Sequence, residues 1–91
     1  MAIYCVVYDL KKQGQNYSGL IEKLKSFGSN SLHLQGSVWL VSTSGNAVAL
    51  RDYLTPAIDP NDSLAVFGLT KEYAWKGLSA AAASWIKQHL G

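Results

Sequence analysis

The residue best placed to do chemistry in this sequence is Asp9. It follows the run Val6-Val7-Tyr8, so a carboxylate stands where a buried strand leaves its sheet. An unpaired charge is costly to bury, so Asp9 must reach solvent, a hydrogen-bond donor or a cation. Two readings are open. As a loop organiser, Asp9 accepts backbone N–H groups from residues 10–15 or pairs with Lys11 or Lys12. As a metal ligand it holds Mg2+, but one carboxylate per chain is too few. Such sites usually combine one or two carboxylates with waters and substrate phosphates. A two-fold dimer that brings two copies of Asp9 together removes that shortage. Lys11-Lys12 is the only dense basic spot and the candidate contact to a nucleic-acid backbone.

The remaining chemistry-bearing residues point elsewhere. Asp59 and Asp62 flank a Pro-Asn pair and read as turn formers, while Glu22 and Asp52 fall on outer helix faces. His33 lies opposite Leu32 and Leu34 on its strand, and His89 sits in the last turn of the last helix, where a positive group suits the dipole. Neither histidine has a Cys, Asp or second His at ligand spacing. Cys5 is the single cysteine, lies in an apolar strand and reads as a small hydrophobe. Ser37, Ser42 and Thr43 have no base at a telling spacing. Neither a phosphate-binding GxxxxGK[ST] loop nor a GxGxxG turn after a strand is present. The aromatic pattern of an RNA-recognition motif is missing too. Trp39, Trp75 and Trp85 read as core or interface anchors.

These residues are positioned by a β-α-β-β-α-β order. Ile3–Leu10 is a strand apolar on both faces, hence central. Asn16 caps a helix whose stripe is Tyr17, Leu20, Ile21, Leu24 and Phe27, with Gly28 as its stop. Residues 30–34 and 37–43 form a hairpin across Gln35-Gly36. Ser44 caps a second helix with Ala47, Leu50, Leu54 and Ile58 inward, and Pro56 in its last turn. The Asp59-Pro60-Asn61-Asp62 turn leads to a fourth strand over 63–69. This is the ferredoxin-like signature, an α+β fold with two helices on one face of a four-stranded antiparallel sheet. Residues 1–70 make that core. The extension 71–91 carries Tyr73-Ala74-Trp75, expected as an extra strand, and a final helix capped by Ser79 with Ala82, Trp85, Ile86 and His89 on one stripe. It covers the second sheet face of its own chain or of a partner.

Composition sets the class. Ninety-one residues make one domain of thin stability margin. Charged residues are 15% and aromatics 11%, against about 25% charged in typical soluble domains, which fits a face covered by a second subunit. The net charge of +2 permits a nucleic-acid partner without demanding one. No secretory signal pattern is visible and no run approaches the ~20 apolar residues of a membrane span, so a cytoplasmic protein without a membrane partner is expected.

The segments Val7-Tyr8-Asp9-Leu10, Leu24 with Phe27-Gly28, Gln35-Gly36-Ser37-Val38-Trp39 and Asp62-Ser63-Leu64-Ala65-Val66 together resemble the CRISPR-associated protein 2 family. The tail with Ala74-Trp75-Lys76-Gly77 is similar to a stand-alone SinR-family branch, related in fold to VapD-type ribonucleases. The resemblance implies a ferredoxin-like homodimer whose first-strand aspartates face each other across the two-fold axis. It further implies one Mg2+ between them and hydrolysis of phosphodiester bonds, RNA before DNA. Asp9 is the matching position and so the expected catalytic and metal-binding residue. Many family members instead act as scaffolds that hold nucleic acid for a protein partner. Two positions depart from the family's habit: lysines rather than arginine follow the aspartate, and Leu40 stands where an acidic residue is common.

Overall fold

The computed structural model describes residues 1–11 and 17–90. Its order is β1 (Ala2–Asp9), α1 (Ser18–Lys25), β2 (Ser31–Gln35), β3 (Val38–Thr43), α2 (Ala47–Leu54), β4 (Ser63–Gly68) and α3 (Ala80–Leu90). The sheet runs β2-β3-β1-β4 with every neighbouring pair antiparallel. The chain therefore has the ferredoxin-like α+β architecture that its hydrophobic pattern predicts, with β1 in the centre. The expected cap at Asn16 lies outside the described residues.

Alternation along β1 divides the molecule into two cores. Val6 and Tyr8 point to one face, where they join Trp39 and Val41 of β3, Leu20 and Leu24 of α1, and Leu50 and Leu54 of α2. Leu20, Leu24, Leu54, Val6 and Val41 are sealed from solvent, so this first face carries most of the hydrophobic stabilisation. Ile3 points the other way and packs with Leu40 of β3 and with Ile86 and Leu90 of α3. The extension thus folds back onto its own sheet.

Local chemistry explains the element ends. Gly28 follows α1 at φ +59, a left-handed conformation that a side chain would strain. The second helix is capped by Asn46, whose Oδ1 accepts from the Ala49 N–H at 2.8 Å, and not by Ser44 two residues earlier. Pro56 sits in a single 3-10 turn (Thr55–Ala57) that ends α2. Ser79 does cap the last helix, its Oγ accepting from the Ala82 N–H at 3.1 Å.

The extra strand expected over Tyr73-Ala74-Trp75 is not formed. Leu69 N–H still bonds to Ile3 O at 2.9 Å, but the Thr70 hydroxyl then accepts from Glu72 N–H at 3.3 Å and the chain turns off the sheet. A strand needs a partner with a free edge, and residues 71–79 run as an irregular strap into α3 without meeting one. Among the described residues no helix is long and apolar enough to cross a membrane.

Candidate functional site

Asp9 is the last residue of β1, opposite Ser63 of β4. Ile3, Cys5, Val7 and Asp9 share the second face, and α3 covers only part of it. Cys5 pairs in register with Phe67, Val7 with Ala65, and Asp9 with Ser63. Val7 is 37% and Phe67 58% exposed, so an apolar stripe runs along the β1–β4 half of this face and ends at Asp9. A groove of about 190 Å³ lined by Val7, Asp9, Ser63 and Ala65 opens at that end.

The Asp9 side chain is 66% exposed and forms an ion pair with the Lys11 ammonium. The backbone of Lys11, two residues beyond the end of β1, is held by a different carboxylate. Lys11 N–H donates to Asp62 Oδ1 at 2.8 Å, the Tyr17 hydroxyl donates to the same oxygen at 3.3 Å, and Asp59 N–H donates to Oδ2 at 2.9 Å. Partial desolvation pushes the Asp62 carboxyl up, but the Lys11 and Asp59 amides, the Tyr17 hydroxyl and the Lys11 charge together outweigh it and hold the group below its ordinary range. Asp62 therefore ties the exit of β1 to the turn before β4. The sequence marks it as a turn former, and the reach to Lys11 across the fold is what a local pattern does not carry.

One chain alone does not make a Mg2+ site. Asp9 brings a single carboxylate with an ammonium already on it, and among the described residues no cluster of three His, Cys, Asp or Glu could hold a metal. Lys12 lies outside the described residues, so only Lys11 of the basic pair is placed, beside Asp9.

The three tryptophans part company. Trp39 is 3% exposed within the first core, its Nε1–H donating to the Tyr8 hydroxyl at 3.3 Å and its ring stacked on His33 at 4.4 Å. It is a core residue of the single chain and has no surface to give an interface. Trp85 Nε1–H donates to Ser29 O at 2.8 Å and its ring stacks on His89 at 3.9 Å, fastening α3 to the β2 side. Trp75 is exposed at the strap and stacks on Tyr73. His33 Nε2 lies 2.9 Å from Gly36 O, a carbonyl that can only accept, so that nitrogen carries the proton. Both histidines are thus occupied with ring stacking and backbone carbonyls.

A second opening lies on the same sheet face. Between the strap, α3 and the sheet is a pocket of about 350 Å³ with Cys5 and Leu40 among its lining residues. Burial pushes the Cys5 thiol up. Sequence pattern does not reveal this pocket, because it exists only where the irregular strap stands away from the sheet. No protein-family model matches the chain, and no curated protein matches it significantly.

Proposed function

We propose that the chain works as a cytoplasmic homodimer that acts on nucleic acid, with Asp9 of both copies forming a Mg2+-dependent endoribonuclease centre at the two-fold axis. The observation that carries this reading is that Asp9 ends the open apolar stripe of Val7 and Phe67. Covering that stripe with a second copy brings a second Asp9 to the same region and supplies the carboxylate that one chain lacks.

The edge of β4 supports pairing too. Ser63–Gly68 contains no charged residue and no proline, and its register against β1 is unbroken over six residues. The other edge, β2, carries an irregularity between His33 and Gln35 and is flanked by the Trp85–Ser29 bond. Free edges without such devices invite another strand.

In this centre each chain contributes Asp9 as ligand and Lys11 as the cation that leaves the carboxylate for a substrate phosphate. When bound, Mg2+ supplies Lewis-acid polarisation of the phosphodiester and a water of lowered pKa. Asp62 fixes the backbone at Lys11 and so sets the ammonium within reach of both partners. Labelled single-stranded RNA, incubated with and without Mg2+, tests the reading. Asp9→Asn should abolish Mg2+-dependent cleavage while sedimentation still reports the dimer. Equal cleavage by the variant refutes it.

The Asp9–Lys11 pair favours a second reading, a non-catalytic dimeric scaffold for nucleic acid or a protein, because it already neutralises the carboxylate. That reading expects binding without metal dependence and no effect of Asp9→Asn.

A further inference from the structure

The pocket beneath the strap is independent of the Asp9 centre and is built like a small-molecule site. The strap leaves β4 at Leu69, turns at Gly77 with φ +81 and enters α3. It stands off the sheet far enough to leave about 350 Å³ over Cys5 and Leu40, closed on one side by Ile86 and Leu90 of α3. Tyr73 and Trp75 lie nearly parallel, 3° apart with centroids at 5.5 Å. They stack on each other and do not collapse into the space. Protein interiors keep few voids larger than a water, so an opening of this size with an apolar lining is open to an occupant. Its volume is at the low end of the ~300–1,000 Å³ of small-molecule sites.

The charge around the pocket chooses the occupant. Lys76 lines it, and the Lys87 ammonium stands 5.9 Å from the Trp75 ring centroid. Among the described residues no Asp or Glu lines it. We propose that this pocket binds a small amphipathic anion, a carboxylate on an aromatic or short acyl body, with the body over Cys5 and Leu40 and the head group at Lys76. The apolar walls supply the affinity and the lysine supplies the selectivity for charge.

The full chain, titrated with octanoate and with 1-naphthoate, tests this against the uncharged octanol and 1-naphthalenemethanol. Tryptophan fluorescence reads binding, and the rate of Cys5 alkylation by iodoacetamide reads occupancy of the pocket. Both carboxylates should saturate, slow the alkylation and bind about fivefold more tightly than the alcohols. Lys76→Gln, at an exposed position, should remove that advantage and leave the circular dichroism unchanged. Ala74→Trp should weaken every ligand about tenfold or more by filling the mouth. Three results overturn the proposal: no saturation, no protection of Cys5, or equal carboxylate binding by wild type and Lys76→Gln. So does protection of Cys5 that grows with protein concentration in the absence of ligand, since a second copy then fills the space.

Discussion

Replacing Phe67 with serine separates a surface residue of a single chain from an anchor of a dimer. Phe67 is 58% exposed on the β4 edge, so less than half of its side chain is buried within the chain itself. Full burial of a phenylalanine contributes about 1.5–3 kcal/mol, so the single chain should lose only about 1 kcal/mol. If the open stripe packs on a second copy, the exposed half is buried as well, and symmetry counts the loss twice. That amounts to about 2–3 kcal/mol per dimer, roughly a 30- to 150-fold weaker dimer. Sedimentation equilibrium over a range of concentrations gives the association constant, and urea denaturation at a concentration where the protein is monomeric gives the intrinsic cost. A dimer constant that does not change, with a stability loss well above 1 kcal/mol, refutes the stripe as an interface and places Phe67 in a contact internal to the chain.

The two cores should respond unequally to truncation. Leu24→Ala in the sealed first core should cost about 2–5 kcal/mol of the roughly 5–14 kcal/mol expected for this length, while Ile86→Ala should fall at the lower end because the neighbouring pocket lets the site relax, both read by urea denaturation. Asp62 gives a pH dependence of defined sign. Its folded-state carboxyl lies below its unfolded value, so its contribution is fully present above the ordinary carboxylate range and is lost as pH falls through the lower folded value. Urea midpoints measured down a pH series should therefore fall less steeply in acid for Asp62→Asn than for wild type.

The sequence makes most of the frame legible because both faces of β1 and the stripes of α1 and α2 obey simple periods. Leu20, Leu24, Leu50 and Leu54 are all buried where helical spacing puts them. Where the sequence misleads, a local signal meets a tertiary constraint. Ser44 and Asn46 are both good caps, and only the path of the chain out of β3 selects Asn46. Tyr73-Ala74-Trp75 has strand-forming residues, but the turn at Thr70–Glu72 takes them off the sheet before they meet an edge, so propensity has nothing to pair with. Trp39 is as large and aromatic as an interface anchor, yet its place beside Val41 on the helix-covered face makes it core. At the candidate site, Asp9 is legible as a carboxylate at a strand end. Its ion pair with Lys11, two residues on, is legible too, whereas the junction through Asp62 depends on a contact across 51 residues of sequence, which no spacing rule encodes.

The Lys11 ammonium decides between the two readings of Asp9, because it competes with any metal for the same carboxylate. Two bare aspartates brought together at a dimer axis repel each other, whereas two Asp9–Lys11 pairs do not. The proposed dimer would therefore form without metal, and Mg2+ would have to displace two ammonium groups to bind at the proposed centre. Exposed pairs are worth about 0–1 kcal/mol each, so this competition lowers Mg2+ affinity by up to about 30-fold. Lys11→Met removes the competitor and keeps the backbone N–H that bonds to Asp62. If the metal centre is real, the variant should bind Mg2+ more tightly by calorimetry in the absence of RNA. Its dimer should also become Mg2+-dependent, dissociating in chelator as the unneutralised aspartates repel. Mg2+ binding that stays absent in Lys11→Met, with a dimer indifferent to chelator, refutes the paired-aspartate centre and leaves Asp9 as the partner of a lysine at the end of a strand.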